Sequence, residues 1–274
     1  PPKFVLHGLS SKSKFLAVFK WTEKYDFCIF ANQINEMRTI DLKTEKAFEN
    51  SKVLSSDVRK NERKFYEAVS ENEKKHKKNT FKNIKDKIVL EIGCSSGYDS
   101  LEYAKYCKKL FACDLSDEAI KEAKSKGIRN AEFECCDAHK LPYKDNSFEC
   151  VIVNSLLHHL DLNIIFEEIK RVLKPEGYLI FKEPLGTNPI FNLYRYLTPE
   201  SRTPDERAFN FKDLNLFSKY FEIKQINFYG FLVLLSAFKF FKNFKPLLNK
   251  IDNFLSKTPL KYLFWTIAGT TRVK

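Results

Sequence analysis

The chain has 274 residues, of which 43% are hydrophobic, and its formal net charge is +12. This length allows one large α/β domain with additions or two small domains, and the apolar content is sufficient for a real core. The charge is uneven: residues 1–86 carry 19 Lys and Arg against 12 Asp and Glu, residues 87–183 carry 14 against 17, and residues 184–274 carry 14 against 6. A mildly acidic centre between basic flanks argues against a protein that coats nucleic acid with its whole surface.

The seven cysteines form no C-x-x-C pair, and the adjacent His158 and His159 have no cysteine at zinc spacing. Several cysteines lie in apolar runs, where a free thiol behaves as a small hydrophobe. No signal peptide is visible, and no run of about 18 or more apolar residues could span a bilayer. We therefore expect a reducing, cytoplasmic location and no bound metal.

Residues 1–60 give no clean pattern and are expected to form an N-terminal extension. The aromatic stretches at 15–19 and 25–30 could be strands, but no regular alternation extends through them. Met37 is the only methionine, so residues 1–36 either belong to the native protein or precede its natural start.

The remaining part of the chain, residues 61–274, is expected to form the main domain. From Asn61 to Lys78, apolar residues at helical spacing are followed by the run KKHKK. This pattern predicts a short amphipathic helix with a solvated end, and a lid helix over a ligand pocket is the alternative.

The stretch 87–99, KIVLEIGCSSGYD, organises the centre of the chain. An apolar run from Ile88 to Ile92 stops at a turn with two glycines, and a helical pattern follows from about Tyr98 to Cys107. The pattern predicts a buried strand, a tight turn and a helix N-terminus, where the backbone can approach a polar or anionic ligand. The turn is neither a Walker loop nor a G-x-G-x-x-G dinucleotide fingerprint.

Strands and helices alternate after this turn. Further strands are predicted at 110–114, 131–137, 148–154 and 177–183, and helices at about 117–126, with Ser116 as N-cap, and 163–173. Two last strands are predicted at 221–229 and near 264–273, with helical character over 231–257. Right-handed crossovers between the first five strands then give an α/β fold, a doubly wound and mostly parallel sheet of seven strands.

In an open parallel sheet, ligands bind beyond the carboxyl ends of the strands. These ends carry Glu91, Asp114, Asp137 and Asn154. Asp114 stands where an acid can accept both hydroxyls of a ribose, and Asp137 where the amine of an adenine needs an acceptor. Each acid alone could be a surface carboxylate. Together, at consecutive strand ends, they indicate a ligand that contains adenosine.

The stretch from Lys87 to Glu183 resembles the class I S-adenosylmethionine-dependent methyltransferases, of the small-molecule, type 11 kind. LEIGCSSG is similar to their first motif, ACDLS to the ribose-binding motif, CCDAHKLPYKDNSFECVIVNSLLHHL to the adenine-binding and fourth strands, and KRVLKPEGYLIFKEP to the closing strand. The segment Cys94-Ser95-Ser96 departs from the more usual glycine of the loop. The resemblance implies a Rossmann-like methyltransferase fold and S-adenosyl-L-methionine as methyl donor.

The resemblance also implies which residues bind this cofactor. The implied set is Glu91, Gly93, Cys94, Ser95, Gly97, Asp114, Leu115, Asp137, Ala138 and Asn154. Within it, Gly93 and Gly97 let the loop approach the methionine part, Glu91 orients that part, Asp114 binds the ribose and Asp137 binds the adenine. Methyl transfer from a sulfonium depends mainly on alignment in a site shielded from water, so a catalytic base is optional.

Candidates for a base or an acceptor-orienting group are His158, His159 and Glu183, near the ends of the fourth and fifth strands. Asn154 and the segment 156–159 would line the passage to the acceptor. Structural roles are the alternative for all three candidates: either histidine could pack at a helix start, and Glu183 could anchor the loop that follows it.

The stretch 184–220 is expected to contribute an insertion to the acceptor pocket. Its polar, proline-containing part, residues 194–207, supplies the candidate substrate residues Tyr194, Arg195, Arg202 and Arg207. The arginines would suit an anionic or phosphorylated acceptor. A solvated connector is the alternative.

The stretch 230–265 is rich in Phe and Leu with interspersed Lys, and three of its lysines, Lys239, Lys242 and Lys245, share one helical face. Core helices would explain this composition. So would an interfacial face that docks on an anionic membrane, or a pocket for a lipid-linked acceptor.

We therefore expect O-methylation of a small, lipid-linked or glycan-linked metabolite, with nitrogen or carbon as the alternative acceptor atom and S-adenosyl-L-homocysteine as the second product. RNA methylation is the alternative enzyme, favoured by the basic flanks; however, Asn154-Ser155-Leu156-Leu157 stands where an N-P-P-Y or D-P-P-Y motif would be needed. A third hypothesis is a methyltransferase-like binding subunit without catalysis. No nucleic-acid partner is expected under the first hypothesis.

Overall fold

The computed structural model describes residues 42–54, 63–197 and 207–274. The helices of this part are α1 Leu42–Leu54, α2 Arg63–Ala68, α3 Ser70–Ile84, α4 Tyr98–Tyr103, α5 Asp117–Ser125, α6 Leu162–Val172, α7 Pro189–Leu197, α8 Phe211–Tyr220 and α9 Lys245–Leu255. The strands are β1 Ile88–Ile92, β2 Lys109–Asp114, β3 Ala131–Cys135, β4 Phe148–Asn154, β5 Leu173–Pro184, β6 Phe221–Tyr229 and β7 Thr266–Val273. Short 3₁₀ segments cover Leu157–His159, Leu232–Ala237, Lys239–Phe244 and Pro259–Leu263. The strands considered at 15–19 and 25–30, Met37 and Arg202 lie outside the described residues.

The strands form one seven-stranded sheet in the order β3-β2-β1-β4-β5-β7-β6. The first five strands are parallel to their neighbours, and β7 runs antiparallel to both β5 and β6. The strand order reverses between β1 and β4, because the chain passes from β1 to β2 on one side and returns to β4 on the other. The predicted doubly wound, mostly parallel sheet is confirmed, and its ligand crevice lies at the carboxyl ends of β1 and β4.

The strand at the centre of the sheet is buried on both faces. Cys150, Val151, Ile152 and Val153 of β4 are all fully inaccessible. Val151 and Val153 join one hydrophobic cluster, with residues of α6 and α8, while Cys150 and Ile152 join a second cluster on the opposite face. Side chains of a strand alternate between faces, so a continuous apolar run is what a central parallel strand requires.

Three predicted boundaries need correction. β5 begins at Leu173 rather than at residue 177, because the chain is already extended there and Leu173 pairs with Phe148 of β4. β3 ends at Cys135, so Asp137 lies in the loop just beyond the strand. α4 ends at Tyr103 rather than near Cys107, and the side-chain amide of Asn130 donates to the Ala104 carbonyl at 2.6 Å just after that end.

The lysine-rich helix predicted over 61–78 is observed as α2 and α3. α3 is not solvated all round: Thr80 and Ile84 are buried against the sheet, and His76 is largely enclosed. Across the helices of the described ranges, the structure has none with the length and apolar character needed to cross a membrane.

Candidate active site

A cavity of about 1290 Å³ opens at the carboxyl ends of β1, β2, β4 and β5. Its walls come from the loop after β1, the ends of the neighbouring strands, helices α1, α2 and α7, and the segment between β6 and β7. The site therefore lies in the crevice at which the strand order reverses.

The loop after β1 forms the floor of the cavity. The backbone N–H groups of Gly93 and Cys94 both donate to the Cys113 carbonyl of β2, at 2.8 and 3.0 Å. Gly93 has a φ of +79°, and a Cβ atom there would lie 2.8 Å from Leu156 Cδ2. Ser95, which also lines the cavity, has a φ of +46°. Residues held in this left-handed region cluster at ligand sites, where the backbone must approach a ligand closely.

Three residues of the predicted cofactor set, all of them described, do not line this cavity. Glu91 is buried behind the loop, where the Ser100 hydroxyl donates to its carboxyl at 2.5 Å; burial raises the pKa of Glu91 to about 8. Cys94 packs into the core cluster below the loop, and a Cβ at Gly97 would lie 3.0 Å from Ala123 Cβ of α5. Glu91 thus ties β1 to α4, whereas the resemblance implied that it orients the ligand.

Asp114 stands at the cavity wall with its carboxylate fixed. The backbone N–H of Ser95 donates to Oδ2 at 2.8 Å, and that of Ser116 donates to Oδ1 at 2.9 Å. Ser116 is the predicted N-cap of α5, accepting from the Ala119 N–H at 3.0 Å. The strand end, the loop and the helix start therefore hold this carboxylate in one orientation, and the next residue, Leu115, lines the cavity beside it.

Asp137 lines the same cavity, next to Ala138. Its Oδ1 accepts from the His139 backbone N–H at 2.9 Å and lies 2.8 Å from His139 Nδ1. His139 Nε2 accepts from the Asp161 N–H at 3.0 Å, which places the ring proton on Nδ1, facing the carboxylate. The structure therefore brings Asp114 and Asp137 to one rim, as the sequence predicted.

On the far side of the cavity, Glu183 and His158 form a buried pair. Glu183 is fully inaccessible, and its Oε1 accepts from the backbone N–H groups of Leu156 and Leu157 at 3.0 and 2.9 Å. Its Oε2 lies 2.6 Å from His158 Nδ1. Burial raises the pKa of Glu183 to about 7, although the two N–H groups oppose the shift. His159 also lines the cavity, with Nδ1 3.1 Å from Glu45 Oε1 of α1.

A polar cluster that the sequence did not reveal lies next to this pair. Lys182 Nζ donates to Glu73 Oε2 of α3 at 2.9 Å, and the Tyr229 hydroxyl donates to Glu73 Oε1 at 3.1 Å. Lys182, Glu73 and Asn154 line the cavity, with Asn154 beside Lys182 across the β4–β5 register. Burial, followed by the charge of Lys182, lowers the pKa of His76 to about 4. Asn154 Oδ1 and His76 Nε2 are buried here without a well-formed hydrogen bond to any described residue.

The predicted substrate residues divide between two places. Tyr194 and Arg195 of α7 line the cavity. Arg195 already donates to the Leu185 carbonyl and to Asn192 Oδ1, each at 3.0 Å. Arg207 lies outside the lining, because Asp213 at the start of α8 holds its guanidinium, with Nη2 2.7 Å from Oδ1. Arg202 lies outside the described residues.

Known proteins agree with this geometry. Residues 90–181 match a family model described as a methyltransferase domain. The uncharacterized methyltransferase YcgJ of Bacillus subtilis is 29% identical over 110 residues, which is 38% of this chain and 44% of the relative. A crystal structure of YcgJ from that organism gives a TM-score of 0.52 at 17% identity, covering 73% of this chain and 98% of that one. Residues 90–181 are therefore a methyltransferase domain.

Two relatives of this chain have named activities. The malonyl-[acyl-carrier protein] O-methyltransferase of Halorhodospira halophila is 33% identical over 98 residues, covering 34% of this chain and 33% of the relative. The ubiquinone/menaquinone biosynthesis C-methyltransferase of Rickettsia bellii is 32% identical over 107 residues, covering 35% of this chain and 43% of the relative. The chain spans less than half the length of each of these curated relatives.

An apolar wall of the cavity comes from segments outside the matched region. Phe65 belongs to α2 and Phe191 to α7, while Phe231, Leu234 and Trp265 belong to the segment between β6 and β7. The composition of 230–265 pointed to such a wall, whereas nothing in the sequence distinguished Phe65 or Phe191 from ordinary core residues. Much of the apolar lining of the cavity therefore lies outside the matched region.

Proposed function

We propose that this methyltransferase transfers the methyl group of S-adenosyl-L-methionine to an oxygen of a small or lipid-linked metabolite. The strongest support is that one cavity joins the Asp114–Asp137 rim, the His158–Glu183 pair and an apolar wall. Its volume of about 1290 Å³ exceeds the roughly 300–1,000 Å³ typical of a site for one small ligand. A donor and an acceptor therefore have room to bind together.

The polar half of the cavity fits the methyl donor. Asp114 offers two fixed carboxylate oxygens to the hydroxyls of a ribose, and Asp137 with Ala138 stands next to it for the adenine. The opposite charges of Lys182 and Glu73 complement the carboxylate and ammonium groups of a methionine moiety. The donor, when bound, supplies an electrophilic methyl group on a positively charged sulfur.

The His158–Glu183 pair favours an oxygen acceptor, because a hydroxyl has to lose its proton as it attacks. Glu183 holds the ring of His158 through Nδ1, which orients the ring and stabilises the imidazolium that forms when His158 takes that proton. The buried position of both residues keeps water away from the reacting groups. The named relatives include an O-methyltransferase and a C-methyltransferase, so family membership alone does not choose the acceptor atom.

The apolar wall supports an acceptor with a hydrophobic part. The aromatic side chains of α2, α7 and the segment between β6 and β7 bury such a group at about 25 cal/mol per Å² of apolar surface. Of the candidate substrate arginines that the structure describes, Arg195 lines the cavity, and its guanidinium already donates to the Leu185 carbonyl and to Asn192 Oδ1. We therefore place the acceptor's apolar portion on this wall and its hydroxyl near His158.

Calorimetric titration of S-adenosyl-L-methionine into the wild-type chain and Asp114→Ala tests the donor site. We expect the substitution to weaken binding by about 1–3 kcal/mol, because the hydroxyl pair loses its charged acceptor. Asp145→Ala is the matched control, since Asp145 is exposed and pairs with Arg171 at the surface. Equal affinity of Asp114→Ala and wild type would contradict the site, and no binding by the wild type would favour the non-catalytic alternative.

Incubation of metabolite and lipid extracts with isotopically labelled donor then identifies the acceptor by product mass. An O-methylated product in the lipid fraction is expected. Label in RNA, with binding that falls steeply as salt rises, would favour the RNA alternative instead.

A further inference from the structure

The segment between β6 and β7, residues 230–265, exposes large hydrophobic side chains to solvent. Phe240 is 80% exposed and Phe254 is 69% exposed. Phe238, Phe244 and Leu247 are each about half exposed, at 49, 49 and 53%. A concentration of exposed hydrophobic residues in one short stretch of chain marks an interaction surface rather than ordinary surface composition.

The charged residues of the same segment are almost all lysines. It contains six lysines and one acid, Asp252. Asp252 is buried, so the exposed charge of the segment is positive. Lys239 and Lys242 stand three residues apart on the 3₁₀ segment Lys239–Phe244, and residues at this spacing lie in one row on a 3₁₀ helix.

Hydrogen bonds order this segment internally and join it to the domain. The Leu185 N–H donates to the Trp265 carbonyl at 2.7 Å, and the Asn188 side-chain amide donates to the Leu263 carbonyl at 2.5 Å. Asp252 accepts from the backbone N–H groups of Phe231, Leu232 and Val233, at 3.1, 2.9 and 3.1 Å. The Trp265 N–H donates to the Gly230 carbonyl at 2.9 Å, which closes the base of the segment. The exposed phenylalanines therefore belong to an ordered platform.

The platform adjoins the cavity. Leu235 and Phe238 line the cavity, yet they are 38% and 49% exposed. One edge of the exposed apolar surface is therefore also an edge of the cavity mouth.

We propose that the segment 230–265 docks on an anionic lipid bilayer, and that the acceptor enters the cavity from that bilayer past Leu235 and Phe238. Phenylalanines buried at the headgroup boundary and lysines paired with lipid phosphates are the pattern of an interfacial helix. A second copy of the chain fits this surface poorly, because a two-fold contact would bring the two sets of lysines together. The acceptor route rests on the proposed methyl transfer, whereas the docking itself does not.

Co-sedimentation of the full chain with lipid vesicles tests the docking. The vesicles are pure phosphatidylcholine, or phosphatidylcholine with roughly 30% phosphatidylglycerol, which supplies the negative surface potential. We expect at least about tenfold tighter binding to the anionic vesicles, lost on adding salt. The double variant Phe240→Ser/Phe254→Ser should bind at least about tenfold more weakly, because two apolar anchors are removed.

Charge reversal and a matched control separate the two contributions. Lys239→Glu/Lys242→Glu should abolish the preference for anionic vesicles. Ile164→Ser removes a side chain that is 48% exposed on α6, away from the segment, and should bind as the wild type does. Sedimentation of each variant without lipid reports the oligomeric state.

Two results would overturn the docking. The first is wild-type chain that does not bind anionic vesicles more tightly than neutral ones. The second is a Phe240→Ser/Phe254→Ser variant that binds anionic vesicles as tightly as the wild type. Loss of a dimer in that variant, with vesicle binding unchanged, would assign the surface to a second copy instead. Vesicle binding is measured without methyl donor. If the chain binds donor but not vesicles, only the membrane docking is refuted. If it binds vesicles but not donor, only the proposed function is refuted.

Discussion

Replacing Glu183 with glutamine tests the proposed acid–base pair, because glutamine keeps the shape of the side chain and removes its charge. The amide oxygen can still accept from the Leu156 and Leu157 N–H groups, which lie 3.0 and 2.9 Å from Oε1 of the wild type. The amide NH₂ then faces His158 Nδ1, where Oε2 now lies 2.6 Å away. His158 must accept on Nδ1 and carry its proton on Nε2, so Nε2 can no longer take a proton from an acceptor.

We expect Glu183→Gln to lower kcat strongly and to change the affinity for the methyl donor little. A positioned general base contributes roughly 10²–10⁴-fold, so kcat of Glu183→Gln should fall by that factor, or about 3–5 kcal/mol in activation free energy. The wild-type rate should rise with pH through about 7, where burial places the pKa of Glu183, and the variant should lose this limb. Single-turnover assays with saturating donor and the acceptor found by product mass measure both effects.

Stability gives a second measurement that needs no acceptor. Burial raises the pKa of Glu183 from 4.5 to about 7, so the folded chain binds this proton more tightly than the unfolded chain. The contribution to the free energy of unfolding is full below about pH 4.5 and is lost as pH rises through about 7, a change of about 3 kcal/mol. Glu183→Gln removes this titration, so its stability relative to the wild type should improve as pH rises.

The matched control is Glu132→Gln, since the Glu132 side chain is 61% exposed on β3. It should change neither kcat nor the pH dependence of stability. A Glu183→Gln variant that keeps wild-type kcat, together with a stability difference that does not depend on pH, would refute the assigned role of the pair.

Two stability predictions follow from the loop after β1 and from the segment 230–265. In urea titrations, Gly93→Ala should lower the free energy of unfolding by about 1–2 kcal/mol more than Gly127→Ala does. Both glycines have a positive φ, so the backbone strain is shared. Only a Cβ at Gly93 would meet a neighbour, 2.8 Å from Leu156 Cδ2. Equal costs would mean that the loop relaxes around the methyl group. Asp252→Ala should lower the free energy of unfolding by about 3 kcal/mol, since three backbone N–H groups lose their acceptor. The control Asp145→Ala, at an exposed residue, should lower it by less than about 1 kcal/mol. A cost below about 1 kcal/mol for Asp252→Ala would show that water replaces the carboxylate.

The strands of the core could be predicted because buried strands are rich in apolar residues. β1, β4 and β6 have the predicted bounds, and β1 and β4 are mostly apolar, with β1 followed by Gly93 and β4 ending at Asn154. Asp114 and Asp137 could be placed at one rim because Asp114 ends β2 and Asp137 follows β3, which are parallel neighbours in the sheet. The doubly wound sheet follows from the hydrophobic pattern, and the rim follows from the acidic residues at its strand ends.

The polar cluster could not be predicted because its residues interrupt that pattern. α3 turns Glu73, His76 and Thr80 toward the sheet, so its inner face is as polar as the outer face, where Lys77 pairs with Asp99 and Glu102. Hydropathy periodicity cannot recognise such a helix. Lys182 offered one signal: a lysine next to Glu183 at the end of a buried strand must face the opposite side of the sheet.

Two other predicted site residues, Arg207 and Glu91, make contacts that the sequence did not reveal. Arg207 looked like a substrate residue because it follows a polar, proline-containing stretch, yet Asp213 neutralises it at the start of α8. Glu91 looked like a ligand-orienting acid, yet its carboxyl faces Ser100. A charged residue identified by type alone can belong to a cap or a core pair as readily as to a site.

Under the proposed function, the connection between β6 and β7 carries much of the acceptor site, apart from the donor-site acids of the matched core. Antiparallel neighbours need only a two-residue turn, but here residues 230–265 join Tyr229 to Thr266. Their ends meet where the Trp265 N–H donates to the Gly230 carbonyl, so the segment can vary in length and sequence without disturbing the pairing of β6 with β7. Asp114 and Asp137 lie in the matched core, whereas much of the apolar wall and all of the proposed membrane surface lie in this one segment. Under the same proposal, replacement of this segment would therefore change much of the acceptor's apolar site and leave the donor site intact.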